Sequence, residues 1–493
     1  MNSSLKRFLL IIVIILSSIF AFSVAFTQFR GESEMQNLNS VNDLLNSLKS
    51  FNIVDFFKIL ISQYHPPARY IISLPFVCIF GPLEFSLRLA NILFWIGVSI
   101  IAFFIGEKLL DTWCGFFSGL LIGTAGLFGI EAIGSTHGYL TFWIMLLILH
   151  ILKNPSFSLK TKNDRKNFFI GNLFLSIGFL GFTSIIPIIF TYNLIYFYYA
   201  VKERPITVKH FILYLIPFII FYITYYFIFL GIPYYFYKNN LLDNYVGQLY
   251  QNIYRKSSSQ LNIHSFISNL KGINGYFFPF LSWLILVIGS IYLFKTNKHI
   301  YLMIIGYAIL FSFYIYGNTS NHFLSYFIWI IPMSTAFIIT YIKKYSIILL
   351  SILMVLVISW SIIIHVIRYK EKTYPHFLLT YTYSETFRIN NIVRPVRQIA
   401  DDLKKYLDKD EYYLCLTDGA IIFYAKDINY KDNSEIFLTE NKCYKFYDNK
   451  STKYIRAAVI NEDDFFCDDL IEKQINYEKS YLKLIIFKNI KNQ

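Results

Sequence analysis

Tyr64-His65-Pro66-Pro67-Ala68-Arg69-Tyr70 is a charged, proline-stiffened turn between two apolar spans, the first near 8–27 and the next near 86–106. Glu32 and Glu34 lie in the polar stretch just upstream, on the same connection. Two carboxylates and a His/Arg cluster in one loop between membrane helices amount to a charged reaction site at a bilayer surface. Anchoring alone requires none of these groups.

Composition puts the rest of the chain in the membrane. Of 493 residues, 55% are hydrophobic and only 15% charged, where a soluble domain carries about 25% charged residues. Mean hydropathy is +0.47. The 50 Phe and 40 Tyr read as a base-composition bias rather than a function. The length is taken up by spans of about 20 residues each.

Further apolar stretches fall near 113–134, 139–152, 168–183, 185–201, 211–232, 277–294, 300–316, 323–341 and 346–367, about eleven spans in all. The span at 139–152 is short and is expected to begin inside the Ser135–Gly138 turn. Lys and Arg in short loops stay cytoplasmic. Lys6 and Arg7 precede the first span, Lys108 follows the second, and Lys153, Lys160, Lys162, Arg165 and Lys166 follow the fourth. Lys202, Arg204 and Lys209 follow the sixth, Lys295 and Lys298 the eighth, and Lys343 and Lys344 the tenth. Every second connection is basic, which predicts a cytoplasmic N-terminus and an external C-terminus. The first span reads as a retained signal-anchor, since no small-residue cleavage site precedes the polar loop.

The expected architecture is therefore an α-helical polytopic membrane protein with a small C-terminal α/β extracytoplasmic domain. Its boundaries are a transmembrane domain over 1–367, with external loops 28–85 and 233–276, and a soluble domain over 368–493. In the first loop, Val41–Leu60 reads as an amphipathic stretch lying along the interface, with Leu44, Leu45, Leu48, Phe51 and Ile53 in lipid. The second loop carries Arg255 and Lys256; His322 lies outside as well. In the tail, Val396–Leu407 and Asp468–Ile475 read as helices, and Tyr412–Leu416, Ile421–Tyr424, Ala457–Ile460 and Leu482–Phe487 as strands. Cys415, Cys443 and Cys467 permit one disulfide in an external compartment without revealing the pair. No CxxC, HExxH, P-loop or GxGxxG motif occurs, so zinc and nucleotide sites have no sequence support. The net charge of +14 points to anionic lipid headgroups rather than nucleic acid.

Several segments follow one another in a telling order: Gly31-Glu32-Ser33-Glu34, His65-Pro66-Pro67-Ala68-Arg69-Tyr70, Phe80-Gly81-Pro82-Leu83-Glu84, Leu87-Arg88-Leu89, and Ser135-Thr136-His137-Gly138-Tyr139-Leu140-Thr141-Phe142. Over about the first 150 residues this order resembles the GT-C superfamily of membrane glycosyltransferases. The branch it is most similar to holds the protein O-mannosyltransferases and the bacterial aminoarabinose transferases that modify lipid A. The resemblance implies transfer of a sugar from a polyprenyl-phosphate-linked donor to an envelope acceptor (lipid A, another glycan or protein) at the external face of the cytoplasmic membrane.

By that register Glu32 takes the catalytic Asp position, with Glu34 two residues on. The resemblance also makes His65, Arg69 and Arg88 donor-phosphate ligands; a Lys stands at the place of His65 in the aminoarabinose branch. Where many members carry Arg-Thr-Asp-Ala, this chain has Ser135-Thr136-His137-Gly138, which puts His137 at the second carboxylate position, with Glu131 six residues earlier as a substitute. An Arg-Tyr pair common late in the family is Ser325-Tyr326 here, followed by Pro332. These departures leave the sugar, the acceptor and any metal dependence open, and no cofactor is certain.

The chemistry is consistent with the residues. A polyprenyl phosphate is already a good leaving group, so no general acid is needed. A carboxylate with a pKa near 4.3, raised by partial burial, can take the proton of an incoming hydroxyl or amine. Cations must hold the phosphate as negative charge builds on it. Bland readings exist as well: Arg69 and Arg88 as snorkelling side chains, His137 as a structural helix-end residue, and Arg255, Lys256 and His322 as solvated surface. Glu131 near the end of an apolar span is functional by default. A flippase for lipid-linked sugars and an inactive scaffold are the other functional classes; the spans carry few of the intramembrane charges and no half-repeat that a transporter shows.

Overall fold

The computed structural model describes residues 3–25, 32–63, 66–124, 137–181, 185–203, 205–232, 281–314, 330–345 and positions 348, 351, 352, 355 and 359. Further along it describes 396–408, 410–416, 421–422, 425, 427–431, 436–438, 444–446, 455–461, 466, 471–477 and 482–487. The chain divides into two compact units, Met1–Phe26 with Asn39–His365, and Thr27–Leu38 with Val366–Gln493.

The first unit is helical. In chain order α1 spans Ser3–Ala25, α2 Glu32–Lys49 (its start, up to Leu38, falls in the second unit), α3 Ile53–Ser62, α4 Ala68–Ile71, α5 Leu74–Phe80, α6 Glu84–Leu109 and α7 Thr112–Gly123. After these come α8 over His137–Lys153, α9 over Lys162–Phe179, α10 over Ile186–Glu203 and α11 over Pro205–Tyr226, which runs into a π-helical turn at Phe227–Gly231. Then α12 covers Leu281–Thr296, α13 Lys298–Tyr314 and α14 Ile331–Tyr345. Among the described residues, Ser3–Phe22, Glu84–Leu109 and Val208–Phe229 are long and apolar enough to cross a membrane. The expected spans 113–134, 277–294, 323–341 and 346–367 run partly or largely outside the described residues.

In α1 the apolar residues divide between two environments. Leu9, Val13 and Phe20 are buried with Ser17, while Phe8, Ile11, Ile15, Ile19 and Phe22 are exposed. A helix that is apolar on both its packed and its open face suits a lipid surround. The buried side joins α6, α7 and α14 in one core of Leu9, Val13, Phe103, Cys114, Phe116, Phe117, Leu120, Ala336 and Ile339.

Small residues set how close these helices come. Gly115, Gly119 and Gly123 repeat every fourth residue along α7. A Cβ on Gly115 would lie 2.5 Å from the Phe103 carbonyl oxygen, and one on Gly119 would lie 2.9 Å from both the Ser99 carbonyl oxygen and Val13 Cγ1. Backbone-close packing on a small-xxx-small stripe is how helices associate where no hydrophobic effect draws them together. Elsewhere polar side chains join helices: Asn193 Nδ2 donates to Asn172 Oδ1 at 2.9 Å between α10 and α9, and Ser176 meets the Tyr222 hydroxyl at 3.1 Å between α9 and α11.

The stretch expected as one interfacial segment over Val41–Leu60 is two helices. The chain turns at Ser50–Asn52: Phe51 N–H bonds the Leu48 carbonyl at 3.1 Å and Asn52 N–H the Ser47 carbonyl at 2.9 Å. That pair of bonds is the Schellman stop, with Phe51 in the left-handed position at φ 55°. Asn52 then caps α3, its side chain accepting Asp55 N–H at 3.1 Å. The break changes which residues face outward. Leu44 and Leu45 are buried in protein, whereas Phe51 and Ile53 are exposed. Ser40 Oγ donates to Gln63 Oε1 at 2.7 Å, closing the base of the hairpin.

The second unit holds a five-stranded sheet of order β2-β1-β5-β7-β6, with β1 Tyr412–Cys415, β2 Asn429–Lys431, β5 Ile455–Asn461, β6 Ile471–Asn476 and β7 Leu482–Phe487. A separate pair joins β3, Ile436–Leu438, to β4, Tyr444–Phe446. The pairs β1–β2 and β1–β5 are parallel, and β5–β7 and β6–β7 antiparallel. The amphipathic helix α15, Val396–Tyr406, buries Ile399, Ala400 and Leu403. Arg456 is buried with Glu411, Nε to Oε1 at 3.2 Å.

Two expectations for this tail fail. Asp468–Ile475 was expected to be a helix, but Ile471–Asn476 is an edge strand on β7. Ile421–Tyr424 was expected to be a strand, but Ile421 and Ile422 are helical and Ala425 N–H bonds the Ile421 carbonyl at 2.8 Å. A short apolar run does not separate a strand from a buried helical turn. Cys415 ends β1; Cys443 and Cys467 lie outside the described residues.

Candidate functional site

Pro66 and Pro67 remove two backbone donors and fix φ, so the turn ahead of α4 is held by the residues after it. Ala68 N–H bonds the Leu180 carbonyl at 3.1 Å, tying the turn to the end of α9. Ile71 N–H bonds the Pro67 carbonyl at 3.1 Å. Arg69 and Tyr70 are buried. Two residues further on, Ser73 Oγ donates to the Leu87 carbonyl at 2.9 Å. This places α4 and α5 against the first turn of α6, next to Arg88.

The turn from α5 into α6 needs its glycine. Gly81 has φ 80° and ψ 177°, a region that essentially only glycine adopts. Ser86 then fixes the start of α6, donating to the Gly81 carbonyl at 2.6 Å and accepting Leu83 N–H at 3.0 Å.

Arg88, 1% exposed, donates from Nη1 to the Ala25 carbonyl at 3.4 Å, the last residue of α1. At the opposite end of the same helix pair, Lys6 Nζ is 2.8 Å from Glu107 Oε2. The two helices therefore run antiparallel. The end of α1, the start of α6 and the end of α9 lie at one face, with Arg69 and Arg88 buried there.

Arg88 belongs to a longer pattern. Glu84, Arg88, Asn91, Trp95 and Ser99 recur at steps of four, three, four and four, and all five are buried. Trp95 Nε1 donates to the Gly123 carbonyl at 3.2 Å, and Ser99 Oγ to the Trp95 carbonyl at 3.3 Å. One face of α6 is thus a polar stripe running inward from the arginine end. Sequence reading found Arg88 but missed Glu84 and Asn91 as part of the set. The signal was present: ionisable and amide residues at helical spacing within an apolar span.

Glu32 and Glu34 lie in the first turn of α2, within the connection 28–85, and their side chains are outside the described residues. Positions two apart on a helix do not share a face. They belong to the second compact unit; Arg69 and Arg88 belong to the first. His137 opens α8, one residue inside the expected turn, with its side chain undescribed. His65, Glu131, Arg255, Lys256 and His322 lie outside the described residues. Among the described residues no group of three His, Cys, Asp or Glu is placed to hold a metal ion.

No family model matches the sequence, and no curated protein matches it. Solved structures do. ArnT from Cupriavidus metallidurans in the apo state is 11% identical with a TM-score of 0.56, covering 99% of this chain and 99% of that one. The same protein bound to undecaprenyl phosphate is 12% identical with a TM-score of 0.56, covering 98% of each. The Archaeoglobus fulgidus oligosaccharyltransferase in the apo form is 11% identical with a TM-score of 0.48, covering 94% of this chain and 70% of that one. The likeness to ArnT runs over nearly the whole length of this chain, and at such identity it shows a shared fold alone.

Proposed function

We propose that this chain is an integral membrane glycosyltransferase that takes a sugar from a polyprenyl-phosphate donor and passes it to an envelope acceptor. The observation that carries this reading is the end-to-end likeness to a structure that holds undecaprenyl phosphate. The buried arginines at one bundle face support it further, since a phosphate leaving group requires fixed cations there. The proposed orientation has the N-terminus in the cytoplasm and the C-terminal domain outside the cytoplasmic membrane, with a catalytic bundle over 1–367 and a soluble domain over 368–493.

The proposed roles follow the resemblance. Glu32 accepts the proton of the acceptor nucleophile, with Glu34 as its alternate. His65 and Arg69 hold the donor phosphate; for Arg88, which the resemblance makes a third phosphate ligand, the bond to the Ala25 carbonyl supports a place in the frame around it instead. Glu131 or His137 contributes a second polar group, and Arg255, Lys256 and His322 supply external-loop contacts. The acceptor hydroxyl or amine loses its proton to Glu32 and attacks the anomeric carbon. The bond to phosphate breaks, and the electron pair leaves on the polyprenyl phosphate.

Mass spectrometry of envelope glycolipids and glycoproteins, with and without the gene, tests the reading. Loss of one glycoform on deletion, restored by the wild-type chain, is the expected result; an unchanged glycome sinks it. A reporter after Gln493 should report the external side of the cytoplasmic membrane and a tag within Asn154–Lys166 the cytoplasm.

A further inference from the structure

The hairpin formed by α2 and α3 ends in a residue that its own backbone disfavours. Phe51 occupies the left-handed position of the helix stop, where glycine is usual, yet its side chain gains no packing and is 90% exposed. A bulky residue at positive φ is an outlier that the fold alone does not explain. Ile53, Val54 and Phe57 continue the apolar surface along α3, at 64%, 64% and 55% exposed.

The surroundings point to what covers this tip. Its base is closed by the Ser40–Gln63 bond, and the chain beyond is pinned to the bundle through Ala68 to Leu180 and Ser73 to Leu87. These anchors are the helix ends at one face of the bundle, so the hairpin is held where the spans leave the bilayer. Lys49 and Lys58 are exposed beside the apolar residues, the pairing that suits anionic headgroups above acyl chains. Lys58 also pairs with Asp55 at 3.7 Å, which leaves the acidic group compensated. Four side chains make a patch far below the roughly 800 Å² that each partner of a stable protein complex buries. The exposed face of α1, with Ile11, Ile15 and Ile19, has the same apolar character.

We infer that the turn between α2 and α3 is a lipid-inserting finger, with Phe51 at its tip and Ile53, Val54 and Phe57 behind it in the outer part of the monolayer. This rests on the membrane reading above. The finger holds the connection between the first two spans at a fixed depth, and with it the segment that carries His65 and Arg69.

The test places the photocrosslinking residue benzoylphenylalanine at position 51, and separately at position 15, in the full chain in nanodiscs of phosphatidylethanolamine and phosphatidylglycerol. Mass spectrometry after irradiation identifies what is captured. Phospholipid adducts at both positions are expected. An adduct at 15 with none at 51, or capture of protein at 51, overturns the finger and leaves the membrane reading standing. No adduct at 15 removes the membrane reading with it. Phe51→Gly should leave the thermal midpoint unchanged or higher, because glycine suits the backbone, and should speed amide exchange across 49–58 several-fold in nanodiscs. A lowered midpoint would show that the ring packs within the protein, and the finger would fall.

Discussion

Arg88 reaches back across the bundle to the last carbonyl of the first span, Nη1 to the Ala25 oxygen at 3.4 Å. The span ends at Ala25, and the segment with Glu32 begins a few residues later. One buried guanidinium thus fixes the C-terminal end of α1, the helix that precedes the proposed catalytic segment in the chain.

Arg88→Ala should lower stability by about 1.5–3 kcal/mol, the scale of a hydrogen bond from a charged group. Arg88→Lys should recover part of that, since it keeps the charge but loses the planar fork. Thermal unfolding in detergent measures both. Unchanged stability with lost transfer would make Arg88 a donor ligand and not a frame residue.

Glu32→Gln keeps size and hydrogen bonding but cannot accept a proton as a carboxylate does. Product formation should fall about 10²-fold or more, with expression unchanged, and Glu34→Gln should do less. If only Glu34→Gln is inactive the roles swap; if both variants turn over normally, the base mechanism is wrong.

Arg69→Ala should raise the donor requirement about ten- to a hundredfold, from contacts of roughly 1.5–3 kcal/mol, with acceptor dependence nearly constant. His65→Lys should be tolerated better than His65→Ala. Titration of a short-chain polyprenyl-phosphate sugar against each purified variant decides it. Equal activity of the two His65 variants would reduce that residue to shaping the proline turn.

Gly115→Ala sets a methyl 2.5 Å from the Phe103 carbonyl oxygen, a backbone atom that cannot swing aside. About 1–3 kcal/mol of stability should be lost. Gly231→Ala, whose nearest neighbour would be 3.6 Å away, is the control. Equal unfolding midpoints for the two would refute the close packing of α7 on α6.

Asp164 and Thr161 cap α9 reciprocally, with Thr161 Oγ1 donating to Asp164 Oδ2 at 2.7 Å and Asp164 N–H bonding Thr161 Oγ1 at 3.0 Å. Burial pushes the carboxyl up, but the bonds from Thr161, with Ser156 and the charge of Arg165, hold it below its usual 3.8. The folded value is the lower one, so the contribution is full above the unfolded pKa and lost as pH falls through the folded one. Asp164→Ala should cost up to about 1 kcal/mol near neutral pH. The gap in thermal midpoint from wild type should be full at pH 6 and narrow progressively as pH falls below the usual 3.8; a gap that stays constant would show that the carboxylate plays no part.

The helical, membrane-type architecture was legible because apolar runs of span length leave few alternatives. The Pro66-Pro67 turn and the Phe80-Gly81 stop were legible for a similar reason, since proline and glycine restrict the backbone whatever surrounds them. Amphipathic reading did less well. Val41–Leu60 has one apolar period, but the backbone breaks at Phe51, which no propensity favours, and Leu44 and Leu45 before the break turn inward. In the tail, Ile471 and Ile475 stand four apart with polar residues between, which imitates a helix. They sit on an edge strand, where Glu472, Lys473 and Gln474 meet water and Lys473 Nζ reaches the Tyr406 hydroxyl at 2.8 Å. In the sequence Glu84 reads only as the end of the Phe80–Glu84 segment and Asn91 does not stand out; their meaning comes from the shared face of α6.

The glycine ladder of α7 also bears on how the molecule is made. The helices it draws together, α1, α6 and α7, precede α8 to α14 in the chain, and chains begin to fold from the N-terminal end during synthesis. Their closest packing needs no residue from the later spans. A newborn chain can therefore bring α1, α6 and α7 together while α8 to α14 are still untranslated, and these later helices arrive at a surface already set.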